Sequence, residues 1–282
     1  MALFRKRKKE SVAIPFLISM IVTLILVGTP VFNYYNKMVN DKTGANGGVE
    51  DNVFTPTDAN ETTLLFVFSP DDASLRPSFL ILRTSAINKS FTFIPVSNDL
   101  LCGSTKMYDI YKKGGVIELT EAVEKTFETD IDRYMDLNNE ALSVICDALG
   151  GVNFNVPYGL KGLNEGTQFL DSDFIIKLIS NQNYAEDART VATGNLFADM
   201  LATTSGSRVA DIVDYTYNKV INIVETDITS IDYDNQKDAI NYILSSNSYI
   251  STYRVPAGKS TEQGFTIDSD SLRQLKADSG LK

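Results

Sequence analysis

The stretch from Leu64 to Asp99 reads LLFVFSPDDASLRPSFLILRTSAINKSFTFIPVSND and decides the fold class. It holds three short runs rich in Phe, Leu, Ile or Val, namely Leu64–Phe68, Phe79–Leu82 and Phe91–Ile94. Pro, Ser, Asn or Asp bound each run, which is typical of strands buried in a sheet and not of helices. The stretch therefore predicts three strands of one buried sheet.

The loop after the first predicted strand carries Asp71, Asp72 and Arg76 between two prolines. A charged loop at the end of a buried strand is a common place for binding or catalytic residues. Asp is also common in turns for purely local reasons, and Arg76 equally fits a solvated loop cation. Both interpretations stay open on the residues alone.

Composition excludes several classes of function. The formal net charge is −10, but the first ten residues carry five cations and one anion, which leaves −14 for the rest. An acidic body argues against nucleic acid as a partner. The chain has no histidine, which excludes Ser-His-Asp and Cys-His catalysis and histidine metal ligands. Cys102 and Cys146 are too few for a zinc cluster, and whether they pair stays open.

The N-terminal region has the pattern of a membrane anchor. Residues 11–36 contain no charged side chain, and Val12–Phe32 is long enough to cross about 30 Å of hydrocarbon as a helix. The basic residues 1–10 directly precede it, so the positive-inside rule predicts a cytoplasmic N-terminus and an extracytoplasmic remainder. A cleaved signal peptide fits less well, because the apolar run is longer than an h-region of roughly 7–15 residues. The prediction is a single-pass protein of the cell membrane.

Residues 37–62 are rich in Asn, Asp, Gly and Thr and predict a flexible linker. From residue 63 onward, strand-like and helix-like segments alternate without a break in composition, which predicts one α/β domain over residues 63–282 with a central mixed sheet covered by helices. Arg83, at the end of a predicted strand, is expected to be an edge charge. The remaining predicted strands are Val152–Val156 and Tyr249–Val255, and the predicted helices are Ile117–Phe127, Asn139–Leu149, Asp173–Ile179, Glu186–Leu201, Arg208–Val224, Asp234–Leu244 and Ser269–Lys276.

Several short motifs between Tyr108 and Pro157 occur together. They are Tyr111-x-x-Gly114-Gly115, then Ile131-Asp132-x-Tyr134, then Asp147-Ala148-Leu149-Gly150-Gly151-Val152, and finally Val156-Pro157. In these motifs, and in its order of segments over about residues 63–278, the chain resembles the LytR-CpsA-Psr family of bacterial envelope proteins.

The resemblance implies a function in the cell envelope. Members of that family move a glycopolymer from a polyprenyl-pyrophosphate carrier onto peptidoglycan or another acceptor, with Mg²⁺. Such chemistry needs arginine side chains and a carboxylate-bound metal to neutralise the diphosphate. It also needs an apolar tunnel for the polyprenyl tail.

The resemblance assigns candidate roles to three residues. Asp71 falls at the position of a metal-binding carboxylate, Arg76 at a catalytic and pyrophosphate-binding arginine, and Arg189 at a second pyrophosphate-binding arginine. Because Glu186 lies three residues before Arg189 on a predicted helix, a surface ion pair is the alternative for Arg189. The family's second carboxylate and four further arginines correspond here to neutral residues, which are Ser78, Val96, Ser180, Gln182 and Ala192.

These losses favour a family member that has lost activity over an active enzyme. Each missing charge-assisted contact to phosphate removes on the order of 1.5–3 kcal/mol. The first hypothesis is a protein that binds a polyprenyl-linked glycan carrier with weak or no catalysis, and with at most a weak Mg²⁺ site at Asp71. Its expected partners are the membrane, the carrier, and peptidoglycan or another cell-wall polymer. The alternatives are an active Mg²⁺-dependent glycopolymer transferase that uses Asp71, Arg76 and Arg189, and a structural surface domain without a lipid ligand.

Overall fold

The computed structural model describes residues 54–157, 163–203, 209–246 and 248–282. The described residues belong to one compact unit, Phe54–Lys282. The predicted basic tail, the membrane helix at 11–36 and residues 37–53 of the linker lie outside the described residues. Among the helices that are described, none has both the length and the apolar character that a bilayer span requires.

A six-stranded mixed sheet forms the centre of this unit, in the order β10-β3-β2-β1-β6-β9. Neighbours β1, β2 and β3 are antiparallel, whereas β6 runs parallel to β1 and β10 parallel to β3. The three apolar runs of the opening stretch are confirmed as central strands. The strand bounds are β1 Glu61–Phe68, β2 Ser78–Ser85, β3 Ser90–Val96, β6 Arg133–Leu137, β9 Glu225–Thr226 and β10 Ile250–Tyr253.

Helices cover both faces of this sheet, which confirms the predicted α/β class. Three small hairpins lie outside the sheet: β4 Leu101–Cys102 with β5 Thr105–Lys106, β7 Val152–Val156 with β8 Gly166–Leu170, and β11 Gly258–Ser260 with β12 Phe265–Ile267. The helices are α1 Met107–Phe127, α2 Asn139–Leu149, α3 Ser172–Ile179, α4 Glu186–Ala202, α5 Val209–Val220, α6 Ser230–Leu244 and α7 Ser269–Ser279, and a 3₁₀ turn spans Asp58–Asn60.

Alternation along the strands divides the core into two layers. Leu65 and Val67 of β1 point into the layer that contains buried residues of α1 and α7. Phe68, on the opposite face, joins the layer built with α2, α3, α4 and α6. Because successive side chains point to opposite faces, a strand buried on both faces reads as an uninterrupted apolar run. The run at Phe79–Leu82 has this form for that reason.

The motif that ends at Val152 is a helix terminus followed by a close approach. Helix α2 begins after Asn138, whose side chain accepts a hydrogen bond from the backbone N–H of Ala141 at 2.8 Å. It ends at Gly150, which has φ of 85°. A Cβ on Gly151 would lie 2.6 Å from the carbonyl oxygen of Leu170 on the paired strand. The glycine pair thus permits the left-handed turn and the tight β7–β8 contact.

Two expectations from sequence are wrong in detail. Helix α1 starts at Met107, ten residues before the predicted Ile117. The helical segment continues on both sides of a kink at Gly115, where φ is 68°, so the glycine does not mark the start of the helix. Arg83 is not an edge charge, since β2 is a central strand and the arginine side chain is buried in an ion pair with Glu61 at 2.7 Å. Helix α2 and strand β7 have the predicted ends. The other predicted helices and strands occur with shifted ends, and the largest shifts are four residues, at the end of α5 (Val220) and at the start of α6 (Ser230).

Candidate functional site

The residues singled out by the sequence meet at one edge of the sheet. Strands β1, β3 and β6 end at this edge, and the antiparallel strand β2 begins there. The loop with Asp71 and Arg76 connects β1 to β2 and therefore lies at the same edge as Asp99, which follows β3. We call this the β1-end edge, by which we mean the side of the sheet where β1 ends and not an outer strand. The topology brings Asp71 and Arg76 to this edge. The residues that contact them there were not predicted from the sequence.

Asp71 has an exposed carboxylate. Its Oδ1 accepts one long hydrogen bond, 3.4 Å, from the backbone N–H of Asn139 at the start of α2. The neighbouring Asp72 behaves as a turn residue, because its Oδ1 accepts from the backbone N–H of Ser74 at 2.9 Å. This interaction with Ser74 lowers the pKa of the Asp72 carboxyl. Asp71 thus keeps a carboxylate that can take a further ligand.

The residues around Asp71 fit a magnesium ion only in a limited way. Within the described ranges, no group of three or more Asp, Glu or Cys residues is arranged to hold a metal. Asp99 is already paired with Arg76 and Lys106, and both carboxyl oxygens of Asp136 already lie in short contacts with hydroxyl groups. Mg²⁺ often binds through one or two protein carboxylates together with phosphate oxygens and water. Asp71 therefore fits an ion that arrives with a phosphate ligand, and its metal role stays a prediction.

Arg76 lies at the β1-end edge and is partly open to solvent. Its side chain is 42% exposed, its Nη1 is 3.7 Å from Asp99 Oδ1, and its guanidinium lies 5.0 Å from the centre of the Tyr108 ring. Lys106 reaches the same carboxylate oxygen at 2.9 Å. Two cations thus share one carboxylate, and the exposed carboxylates of Asp71 and Asp72 lie in the same loop as Arg76. Sequence reasoning missed Lys106, because only the β4–β5 hairpin turns it toward Asp99.

Arg189 is buried, with 3% of its side chain exposed. Its Nη2 donates to Glu186 Oε2 at 2.6 Å, and its Nη1 donates to the backbone oxygens of Pro77 and Ile179 and to Ser78 Oγ, at 2.8–3.2 Å. The ion pair with Glu186 exists as the alternative expected, but inside the protein and not on its surface. A diphosphate contact from Arg189 would have to break this network, and such a role stays a prediction.

Neutral side chains fill the other positions at which the resemblance expects charge. Ser78 Oγ donates to the backbone oxygen of Ile179 at 2.8 Å, so Ser78 and Arg189 form parts of the same network. Gln182 donates to the backbone oxygen of Ser74 at 2.6 Å, which places it against the Asp71 loop. Val96 and Ala192 are buried, and Ser180 bonds to its own helix. These positions hold loops together without adding charge to the edge.

Ser69, Tyr111 and Asp136 form a closed cluster beside Asp71, which the sequence did not suggest. Ser69 Oγ lies 2.5 Å from Asp136 Oδ1, the Tyr111 hydroxyl lies 2.7 Å from Asp136 Oδ2, and the two hydroxyls are 2.6 Å apart. Two hydroxyl protons cannot fill three short oxygen–oxygen contacts. Burial raises the pKa of Asp136, and Glu225 on the paired strand acts in the same direction. Both observations favour a proton on Asp136.

We expect the wild-type protein to lose stability as pH rises, and we expect Asp136→Asn to remove this loss. Asparagine offers one acceptor and one donor, as a protonated carboxyl does. A carboxyl whose pKa is raised in the folded state supports folding fully below its unfolded value of about 3.9, and that support is lost as pH rises through the folded value. The wild-type melting temperature should therefore fall from about pH 4 upward relative to the variant.

Melting curves followed by circular dichroism from pH 4 to neutrality measure this difference, with Asp130→Asn as the control for an exposed carboxylate. A loss of about 1–3 kcal/mol in Asp136→Asn at every pH would instead show that the cluster contains an ionised carboxylate.

Comparison with known proteins places this edge in a family context. The model of the LytR_cpsA_psr family matches residues 76–173, which include Arg76, Tyr111 and the motif at Asp147–Val152. This match confirms, over residues 76–173, the resemblance to the LytR-CpsA-Psr family. A comparison with curated proteins gave no match.

Solved structures share the fold of this protein at low sequence identity. A proposed transcription regulator from Eubacterium siraeum is 21% identical with a TM-score of 0.72, covering 84% of this chain and 98% of that one. TagV of B. subtilis is 18% identical with a TM-score of 0.57, covering 79% and 97%. TagT bound to LI-WTA is 14% identical with a TM-score of 0.57, covering 80% and 92%. At these identities the likeness establishes the fold alone.

A groove of about 700 Å³ adjoins the β1-end edge. Residues of the β11–β12 hairpin line part of it, and its charged lining consists of Lys106 and four carboxylates, those of Asp99, Glu186, Asp187 and Glu262. The predicted apolar tunnel has no counterpart in this groove. Between the sheet and α4, Phe197 stacks on Phe68 with ring centres 4.8 Å apart, so aromatic rings fill the space there.

Proposed function

We propose that this protein binds a diphosphate-linked glycan carrier at the β1-end edge and transfers the glycan slowly or not at all. The observation that carries the proposal is the burial of Arg189, whose guanidinium is already bound to protein acceptors. Among the described residues we find Arg76 and Lys106 as the cations at this edge that remain partly accessible. These two cations can each contact a diphosphate, but together they offer little to stabilise its departure.

The magnitudes support binding over catalysis. A diphosphate leaving group carries several negative charges, and a transferase must stabilise the additional charge that develops in the transition state. Each charge-assisted hydrogen bond contributes roughly 1.5–3 kcal/mol, and every 1.36 kcal/mol changes a rate about tenfold. Neutral residues at the four arginine positions therefore imply a rate loss of several orders of magnitude.

A bound magnesium ion would neutralise part of the diphosphate charge, and Asp71 is the residue that would hold it. Arg76 then orients the phosphate nearest the sheet, while Lys106 adds attraction from the β4–β5 hairpin. The structure of TagT bound to LI-WTA supports a cell-wall polymer precursor as the kind of ligand that suits this fold. We further propose that a membrane helix at residues 11–36 keeps the domain at the outer surface of the cell membrane.

We expect Arg76→Ala to weaken carrier binding about tenfold or more, because one charge-assisted contact is lost. The experiment uses the full chain in detergent, with Mg²⁺ and a fluorescent polyprenyl-diphosphate disaccharide, and measures affinity by anisotropy and turnover by chromatography. Arg273→Ala is the matched control, since Arg273 is an exposed arginine on α7. We expect binding without measurable turnover in wild type.

Two outcomes would overturn the proposal. Turnover that disappears in Asp71→Ala would establish the alternative, an active transferase. Absence of carrier binding in the wild-type chain would favour a structural surface domain. Equal binding by Arg76→Ala and wild type would exclude the assigned role of Arg76.

A further inference from the structure

A second cavity opens at the opposite edge of the sheet, where β1 begins, and we call it the β1-start cavity. Its volume is about 470 Å³, within the range of about 300–1,000 Å³ typical of small-molecule sites. The 3₁₀ turn, the start of β1 and the end of β2 form one side, and residues of α5 and α6 form the other. The candidate site described above contributes no residue to it.

The walls of the cavity are held by polar pairs. Arg133 binds Asp232 through two hydrogen bonds of 2.8 and 3.0 Å, and this pairing holds the pKa of Asp232 below its usual range. Gln236 donates to the backbone oxygen of Ala59 at 3.0 Å and joins α6 to the 3₁₀ turn. These hydrogen bonds fix the elements that form the cavity walls relative to each other.

One buried lining residue, Arg83, has a hydrogen-bond donor without an acceptor. Its side chain is 5% exposed. The two terminal nitrogens of its guanidinium bind Glu61 and Thr63, but its Nε–H has no partner. The hydroxyl of Thr62, another lining residue, is likewise buried without a partner. Buried polar groups are normally satisfied, so these two atoms mark a part of the wall where the hydrogen bonding is incomplete.

An aromatic wall completes the site. Tyr217 of α5 and Tyr233 of α6 stack in parallel, with ring centres 3.8 Å apart and 7° between their planes. The two rings cover each other's inner faces, so a sugar ring would pack its C–H face against an outer face or the edge of the pair, while carboxylate, amide and guanidinium side chains bond to its hydroxyls.

The charge of the cavity decides which sugars fit. Five carboxylates line it against three cations, Arg83, Arg133 and Lys282. Arg83 and Arg133 are already paired with Glu61 and Asp232. Within the described part of the chain, the lining residues Asp58 and Asp130 are in no ion pair. The excess of negative charge repels phosphates and uronic acids and accepts neutral or amino-bearing groups.

We propose that the β1-start cavity binds a neutral or amino-bearing sugar, independently of the diphosphate site at the other edge. Tyr217 and Tyr233 provide the stacking surface, and Asp58, Asp130 and Gln236 bond to the hydroxyl or amino groups. A protein with both sites could hold a glycan chain at two separate points.

Saturation-transfer NMR on the full chain, in a detergent without a sugar head group, tests this with glucose, glucosamine and glucose 6-phosphate at millimolar concentrations. We expect glucose and glucosamine to bind and glucose 6-phosphate to bind about tenfold more weakly or not at all. Tyr233→Leu should lower the affinity about tenfold. The matched control is Tyr215→Leu, because Tyr215 is an exposed tyrosine of α5 outside the cavity.

Asn235→Trp, at an exposed position on the cavity rim, offers a second variant that blocks the cavity if Tyr233→Leu fails to fold. Absence of any sugar signal, equal loss in both tyrosine variants, or glucose 6-phosphate binding as strong as that of glucose would each overturn the proposal. None of these outcomes depends on carrier binding at the β1-end edge, so the two proposals fail separately.

Discussion

Arg189→Met is expected to lower the free energy of unfolding by about 3–5 kcal/mol, because it leaves the Glu186 carboxylate without its cation inside the protein and removes a donor from the backbone oxygens of Pro77 and Ile179. Methionine fills a similar volume but donates no hydrogen bonds. Glu186 also accepts from the backbone N–H of Asn98 at 2.8 Å, so the loss reaches the loop after β3. Thermal and urea unfolding of the full chain, followed by circular dichroism because the chain has no tryptophan, measures the change.

Arg273→Met is the matched control, because Arg273 forms an ion pair with the same spacing along a helix. Arg273 pairs with Asp270 three residues earlier at 2.6 Å, as Arg189 pairs with Glu186, but its side chain is 78% exposed. An exposed pair of this kind contributes about 0–1 kcal/mol. Similar small effects in both variants would contradict a structural role for Arg189. If Arg189→Met were stable yet lost carrier binding, the predicted pyrophosphate role would regain support.

Phe197→Ala is expected to destabilise the protein by about 3–5 kcal/mol through the cavity that it leaves. Phe197, on α4, is buried and stacks between Phe68 and Phe93, with ring centres at 4.8 and 6.4 Å. The same unfolding measurements apply. Phe169→Ala is the control, because Phe169 is an exposed phenylalanine, and its removal should change stability by less than about 0.5 kcal/mol.

The Phe197 variant also tests where a polyprenyl tail would bind. The resemblance predicts a tunnel between sheet and helices, where Phe197 now fills the space. If the tail enters between the sheet and α4, removing the ring should leave carrier affinity unchanged or raise it, despite the lost stability. A stable variant with sharply weakened carrier binding would show that the ring itself contacts the tail.

Local signals in the chain were sufficient for much of the fold. The apolar runs that became β1, β2 and β3 are buried on both faces, and such strands are legible from composition alone. Helix α2 was predicted with its observed ends, Asn139 and Leu149, because an N-cap residue and a glycine pair mark both termini. Helix α1 was predicted too short, since a glycine pair inside a helix reads as its boundary.

The candidate site was less predictable. Asp71 and Arg76 lie in the same loop after the first predicted strand, so the sequence already indicated that both follow the end of that strand. Two parts of the site join residues from different elements. One is the ion pair of Lys106 with Asp99, and the other is the hydrogen-bonded cluster of Ser69, Tyr111 and Asp136. No local pattern specifies such contacts.

The amino-acid order alone established a mixed α/β domain of the LytR-CpsA-Psr type and the absence of charge at five positions where an active site would need it. Tertiary packing decided what the remaining charges do. It buried Arg189 within hydrogen-bonding distance of four acceptors and left Arg76 beside Asp99 and Lys106 at the surface. The reason is physical: periodicity and composition act over neighbouring residues, whereas the burial and pairing of a charge depend on residues distant in sequence that meet only in the folded chain.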